Sequence, residues 1–134
     1  MSRKYLSKKF IDNDGNKWDS KIEYRRYLEL IDDDEISNIE KQVQFEILPK
    51  NKAILDKRAE RAVNYTCDFM YIQNETLVIE EIKSNFTRKD RAYVLRKKMF
   101  KYIYLNENDK EFKKLHEKFN DLKFKDAKFM EVVK

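Results

Sequence analysis

The sequence predicts an α/β (α+β) fold in which a central β-sheet is flanked by helices. Three segments have the period or composition of strands, and the segments around them carry apolar residues at helical spacing. Apolar residues make up 41% of the 134 residues and charged residues another 41%, which is enough for one core and a solvated surface. With one glycine and one proline, regular elements should dominate. We therefore expect residues 1–134 to form a single domain.

A short β-hairpin is predicted near the N-terminus, at about residues 8–19. The pair Asp14-Gly15 favours a tight turn, with apolar residues at 10–11 before it and Trp18 after it. The acids of this turn have a spacing that superficially resembles a calcium loop, but Lys17 stands where an EF-hand requires glycine. We therefore assign no calcium to this turn.

The first helix is predicted from Ser20 to about Ile31. Tyr24 and Leu28 share one face at helical spacing, and serine is a preferred residue at helix N-termini. The acidic run at residues 32–35 should end the helix as a solvated loop, because four adjacent acids repel one another.

Three strands are predicted next. Residues 41–48 alternate between apolar and polar side chains and stop at Pro49. Residues 62–72 and 76–83 are rich in β-branched and aromatic residues and are separated by a three-residue connector. These two segments should pair as an antiparallel hairpin.

The second helix is predicted to begin at Thr87, where Asp90 completes a capping box, with an inner stripe of Ala92, Leu95 and Met99. The following residues, 100–105, fit the end of this helix or a further strand equally well.

A third helix is indicated by apolar residues between 112 and 122, and residues 129–133 have the composition of a final strand. The core of the fold therefore spans about residues 20–105, and residues 106–134 form a C-terminal helix and tail.

Composition excludes several classes of site and location. Cys67 is the only cysteine and His116 the only histidine, so an internal disulfide, a cysteine-rich zinc site and a histidine cluster are all excluded. Apolar runs are too short to span a membrane, and the first residues lack the apolar stretch of a secretory signal. We expect a cytoplasmic protein that does not enter a membrane.

The hairpin geometry brings three charged residues together. If Asn74 and Glu75 form the loop, counting outward along the strands places Asp68 opposite Glu81, with Lys83 on the same face. Two carboxylates this close require a raised pKa or a hard cation, and the lysine beside them suits phosphate chemistry. The alternative is an ordinary ion pair between Glu81 and Lys83 on a solvated sheet face. Apolar residues on both faces of the hairpin favour the site.

A second acid lies next to Glu81 in the sequence. Glu80 has the opposite parity, so it should point away from Lys83, toward the face of Cys67 and Phe69.

These motifs resemble those of a known superfamily. Residues 65–68, Tyr-Thr-Cys-Asp, followed thirteen residues later by Glu81-Ile82-Lys83, resemble the PD-(D/E)XK nuclease signature, with Cys67 at the proline-like position. Together with residues 18–23 and the strand from Gln42, the pattern is similar to a family of short phage-encoded proteins over about residues 5–101. The resemblance implies a restriction-endonuclease-like core, with a central mixed β-sheet flanked by helices.

The resemblance also implies a role for each residue of the motif. Asp68, Glu81 and the backbone carbonyl of Ile82 would bind Mg²⁺ or Mn²⁺, Lys83 would be the catalytic lysine, and Glu23 would complete the water shell of the metal. Two roles are open for Glu23, because it also completes a capping box with Ser20.

Further residues are candidates for nucleic-acid binding. Gln42 would touch substrate or water near the metal, or else be an ordinary strand-edge amide. The second helix carries basic residues that would grip phosphates or simply face solvent. These are Arg88, Arg91, Lys97, Lys98 and Lys101, with Arg58 and Arg61 as secondary candidates.

The net charge of +5 is compatible with a polyanionic partner. We therefore expect a metal-dependent endonuclease that hydrolyses DNA as a homodimer, on branched, recombination or replication intermediates as Holliday junction resolvases do. No glycine-rich phosphate loop supports a nucleotide cofactor. The alternative is a non-catalytic nucleic-acid-binding or assembly module that retains the nuclease fold.

Overall fold

The computed structural model describes residues 9–134, beginning with the predicted hairpin. Strand β1 (Phe10–Ile11) pairs antiparallel with β2 (Lys17–Trp18). The Asp12 carboxylate accepts hydrogen bonds from two backbone N–H groups of the turn and from the Trp18 indole at 3.0 Å. This carboxylate therefore orders the turn from within.

Helix α1 (Lys21–Ile31) confirms the predicted first helix. The Ser20 hydroxyl caps it by accepting a hydrogen bond from the backbone N–H of Glu23 at 3.1 Å. One side of the helix covers the sheet, where Leu30 is fully buried.

The central sheet has four strands in the order β3-β4-β5-β6. Strands β3 (Ile36–Leu48), β4 (Val63–Gln73) and β5 (Thr76–Lys83) pair antiparallel, whereas β6 (Asp126–Val133) pairs parallel to β5. The sheet is therefore mixed and flanked by helices, as the predicted α+β fold class requires.

Strand β3 begins at residue 36, earlier than the predicted residue 41. A register shift between Ser37 and Glu40, with Asn38 at a φ of 56°, interrupts the alternation of side chains there. The sequence pattern of this first part is irregular because the strand itself contains a bulge.

The β4–β5 hairpin has the predicted two-residue loop. Asn74 and Glu75 have φ values of 50° and 69°, which is the left-handed conformation that a type I′ turn requires at both positions. Gln73 pairs with Thr76, and the ladder continues to Phe69 opposite Glu80.

Helix α2 (Arg91–Tyr104) resolves the choice for residues 100–105, because all but the last are helical. The predicted start at Thr87 is wrong. Asp90 caps the helix by accepting the Tyr93 N–H at 3.0 Å, while Thr87 lies in a short 3₁₀ turn and bonds with Ser84.

The predicted inner stripe of α2 is wrong at two of its three positions, because only Met99 packs against the core. Ala92 and Leu95 are exposed, and Tyr93 and Phe100 are the residues that α2 buries against the sheet. These two large rings, seven residues apart on one face, bury more apolar surface than the smaller stripe would. The third helix, α3 (Lys113–Lys118), is shorter than the predicted segment, and β6 begins three residues before the predicted strand.

Apolar cores lie on both faces of the sheet. On the α2 side, Phe45, Tyr65, Ile79 and Phe100 belong to one cluster. A smaller cluster on the α1 side contains Trp18, Leu30, Phe69, Tyr71 and Val78. Residues 9–134 include no helix that is both long and apolar enough to cross a bilayer.

Candidate active site

The alternation of side chains between the two faces of the sheet is interrupted in β4 at Asp68. Tyr65 and Cys67 pack in the α2-side core, whereas Phe69 and Tyr71, although of the same parity, pack in the α1-side core. The strand therefore turns over between residues 67 and 69. This irregularity places the Asp68 side chain where the paired ladder of β4 and β5 ends.

In the neighbouring strand β3, the alternation of side chains between the two faces is interrupted opposite Asp68. Val43 packs on the α2-side core, but the Lys41 amine lies 3.8 Å from the ring centroid of Trp18, on the α1 side. Between them Gln42 has a φ of 54°, and the register of β3 and β4 sets it opposite Asp68. A left-handed backbone at a non-glycine residue is strained, which is common where a site is being shaped.

Asp68 is bound to the strand that carries the rest of the motif. Its Oδ2 atom accepts the backbone N–H of Ile82 at 2.7 Å. The carboxylate thus takes up a strand N–H beyond the last ladder pair, Phe69 with Glu80, and is held close to Glu81.

The carboxyl group of Glu81 is buried beside Asp68. Tyr65 donates its hydroxyl to Oε1 of Glu81 at 2.5 Å, and the Lys83 amine lies 3.7 Å from Oε2. Burial, and after it the negative charge of Asp68, raise the pKa of Glu81 to about 8. The pair of acids therefore favours a bound proton or cation over two free charges.

Lys83 is held between this acid and an aromatic ring. Its amine lies 4.3 Å from the ring centroid of Tyr93, within the range of a cation–π interaction. The Tyr93 hydroxyl donates to Glu131, which also bonds the Lys97 amine at 3.2 Å. Sequence reasoning missed both Tyr93 and Glu131. For Glu131 the reason is that the pairing of β5 with β6, which sets it beside Glu81, has no local signal.

Glu23 reaches the same region from α1. Its backbone N–H bonds Ser20, but its side chain is buried and accepts a hydrogen bond from the Gln42 amide at 3.2 Å. Burial, and then the charge of Asp68, raise the pKa of Glu23 to about 7. Of the two roles left open for Glu23, only the backbone half of the capping box is present, and the carboxylate points to the site.

Gln42 is thus more than a strand-edge amide. Its side chain is exposed to solvent and at the same time holds Glu23 by the hydrogen bond from its amide nitrogen.

The carboxylate pair fits a hard divalent ion. Within residues 9–134, no group of three or more His, Cys, Asp or Glu side chains is arranged to hold a metal. Mg²⁺ is commonly held by one or two carboxylates and keeps several waters, so Asp68 and Glu81 are a sufficient pair of protein ligands. The carbonyl of Ile82 stays a predicted third ligand.

The basic residues predicted on and before α2 divide into two groups. Lys97 contacts Glu131 and the Tyr93 ring and therefore belongs to the surroundings of Lys83. The others are exposed, namely Arg88, Arg91, Lys98 and Lys101. A cavity of about 550 Å³ adjoins Lys83, and its wall includes a basic residue that the sequence did not indicate, Lys89.

Glu80 lies on the opposite face, as its parity predicts. Arg26 of α1 binds both of its carboxylate oxygens at 2.8 Å, and the Tyr71 hydroxyl donates to Oε1 at 2.7 Å. The expectation that Cys67 shares this face is wrong, since the slip at Asp68 turns Cys67 into the α2-side core.

Comparison with known proteins gave one match. A family model described as "Protein of unknown function (DUF1064)" matches residues 2–134. No match was found among the curated proteins or among the solved structures.

Proposed function

The chain belongs to the DUF1064 family, and we propose that it is a metal-dependent endonuclease that hydrolyses DNA phosphodiester bonds. The observation that carries this proposal is the pairing of the half-buried Asp68 with the buried Glu81, with the amine of Lys83 beside Glu81. Buried acids without a full set of positive partners are costly unless a cation joins them. Asp68 and Glu81 would hold such a cation, and it would supply positive charge for a phosphate diester.

Each residue of the site has a task in this reaction. Asp68 and Glu81 hold the ion, which when bound polarises the phosphate and lowers the pKa of a water. Lys83 donates hydrogen bonds to the phosphoryl oxygens, where negative charge increases in the transition state. Glu23, kept in place by Gln42, orients water at the other side of Asp68.

The surroundings of Lys83 support a polyanionic substrate. The ring of Tyr93 lies against the Lys83 amine. The cavity beside Lys83 is lined by the basic residues Lys89 and Arg91. Exposed cations on α2 extend this surface, and such contacts position a nucleic acid by its phosphates.

Cleavage assays in Mg²⁺ and Mn²⁺ test the proposal, with linear, flapped and four-way DNA as substrates. We expect cleavage by the wild type, loss of cleavage in Glu81→Gln, and wild-type activity in Glu46→Gln, a control acid exposed on β3. Binding of DNA without cleavage of any substrate at high enzyme would favour a non-catalytic module.

The proposal includes a cytoplasmic location and a homodimer. The homodimer is proposed because each chain would supply one metal site, and two metal sites would cut the two strands of the DNA. Sedimentation of the protein with a four-way junction measures the stoichiometry. Two chains per junction are expected, and one chain per junction would contradict the dimer.

A further inference from the structure

The segment between β3 and β4, residues 49–62, is folded by its own hydrogen bonds. Asn51 and Glu60 exchange backbone hydrogen bonds of 3.2 and 2.6 Å, which form an antiparallel bridge. Beyond the bridge, the N–H of Asp56 bonds the carbonyl of Ala53 at 3.0 Å and closes a turn. We call residues 49–62 the β3–β4 arm. It is an ordered projection from the sheet.

The tip of the arm is apolar. Ile54 and Leu55 are the two central residues of the closing turn, and they are 94% and 92% exposed. Central positions of turns are usually taken by Gly, Pro, Asn, Asp or Ser. The next most exposed large apolar residue among residues 9–134 is Tyr102 at 73%. Two adjacent aliphatic side chains exposed to water at an ordered tip indicate a binding partner that covers them.

The stem of the arm is basic. It carries five cations and two acids, all exposed: Lys50, Lys52, Lys57, Arg58 and Arg61 against Asp56 and Glu60. The Lys52 amine is used within the arm, where it bonds the carbonyl of Asp56 at 2.5 Å. Lys57 and Arg58 follow the apolar tip closely in the sequence, and Arg61 lies at the base of the arm, next to the bridge.

We propose that the β3–β4 arm inserts Ile54 and Leu55 between stacked bases of the bound DNA while its basic stem contacts the flanking phosphates. The inference rests on the proposed function and adds a mode of substrate distortion to it. Aliphatic side chains that enter a base step unstack it and kink the duplex, and cations beside them neutralise the phosphates. The positive stem favours this occupant over a membrane or a neutral protein surface.

The position of the arm relative to Asp68 determines how far the distorted base step lies from the cleaved bond. β4 leads from the arm at Val63 to Asp68 in five residues, a separation of roughly 17 Å along the strand. With a rise of about 3.4 Å per base step, the base of the arm lies about five steps from the proposed site of cleavage. The enzyme would then favour sites that are easily unstacked, such as branch points.

Fluorescence of 2-aminopurine tests the insertion. The base analogue is placed at successive positions of a four-way junction, and binding is measured in Ca²⁺ so that cleavage does not intervene. The wild type should raise the fluorescence at a step several bases from the cleaved bond. Ile54→Ser/Leu55→Ser should abolish that rise and weaken binding about tenfold, because the apolar burial is lost. Ile11→Ser, which removes another exposed isoleucine, is the matched control and should behave as the wild type.

The outcomes separate this inference from the proposed function. Equal fluorescence and equal cleavage in wild type and Ile54→Ser/Leu55→Ser would overturn the insertion and leave the nuclease intact. Neither binding nor cleavage by the wild type would overturn both. Unchanged DNA binding together with altered self-association of the double variant would identify the tip as a contact between chains, which also overturns the insertion.

Discussion

Glu80 and Glu81 are neighbours on β5, and the two faces of the sheet treat them in opposite ways. Glu80 is fully buried, and Arg26 and Tyr71 bond both of its carboxylate oxygens. Glu81 is buried too, but it lies beside the charge of Asp68 and has only the Lys83 amine, at 3.7 Å, as a cationic partner. Glu80 is therefore neutralised within the fold, whereas the pair of Asp68 and Glu81 shares one lysine.

Helix α1 links the two faces. Arg26 anchors the helix to Glu80, and Glu23 lies three residues earlier on the same helix, with its carboxylate directed to the region of Asp68. A structural ion pair thus sets the position of a site residue. The contrast between Glu80 and Glu81 predicts that similar substitutions have opposite effects on stability.

The largest effect is expected for the acids of the site. Asp68→Asn and Glu81→Gln should lower cleavage more than about a thousandfold, because the metal contributes several kcal/mol of transition-state stabilisation. Both substitutions preserve the acceptors for Ile82 and Tyr65, so the protein should fold. The melting temperature without metal should hold or rise as the repulsion between the acids is relieved. Near-wild-type cleavage in either variant would remove these residues from the site.

Glu80→Gln should have the opposite effect on stability. It removes the buried charged partner of Arg26 and leaves only the exposed Glu29, and we expect the free energy of unfolding to fall by about 4 kcal/mol. Urea denaturation measures the change, with Glu29→Gln as a control that removes only the exposed partner of Arg26. A loss no greater than that of Glu29→Gln would contradict the anchoring role of Glu80.

Lys83→Ala should lower the single-turnover rate in saturating Mg²⁺ by roughly a hundredfold, because a fixed positive charge near the phosphate contributes about 3 kcal/mol. DNA binding in Ca²⁺ should change little, since one phosphate contact among many is lost. Weakened binding with an unchanged rate would make Lys83 a phosphate anchor instead.

The smallest effect is expected at Tyr93, which holds Lys83 but forms no hydrogen bond with Asp68 or Glu81. Tyr93→Leu removes the ring under the amine, and we expect kcat to fall about tenfold at unchanged KM. Tyr93→Phe keeps the ring and should restore most of the rate. Equal losses in both variants would show that the hydroxyl bond to Glu131, rather than the ring, is what matters.

The proximity of Asp68 and Glu81 is predictable from the sequence because a two-residue loop determines the register of a hairpin. With Asn74 and Glu75 in the turn, counting sets Asp68 opposite Glu81, and the ladder up to Phe69 and Glu80 confirms that register. The turnover of β4 at Asp68 is not predictable in this way, because counting assigns the faces by strict alternation. Strict alternation therefore misplaced Cys67.

The rest of the site depends on contacts between distant elements. Tyr93 was overlooked because the capping box at Thr87 suggested a different helix phase, which tertiary packing of Tyr93 and Phe100 overrides. Glu131 comes from a parallel strand more than forty residues after β5, and a parallel register has no turn from which to count.

The most direct test of the account is a calorimetric titration of Mn²⁺ into the protein without DNA. We predict a single site in the wild type and in Glu46→Gln, and no measurable binding in Asp68→Asn or Glu81→Gln. Glu80→Gln, studied at a temperature where it is folded, should bind Mn²⁺ like the wild type, because Arg26 already occupies its carboxylate. Equal Mn²⁺ binding by wild type and Glu81→Gln would contradict the claim that Asp68 and Glu81 form the metal centre.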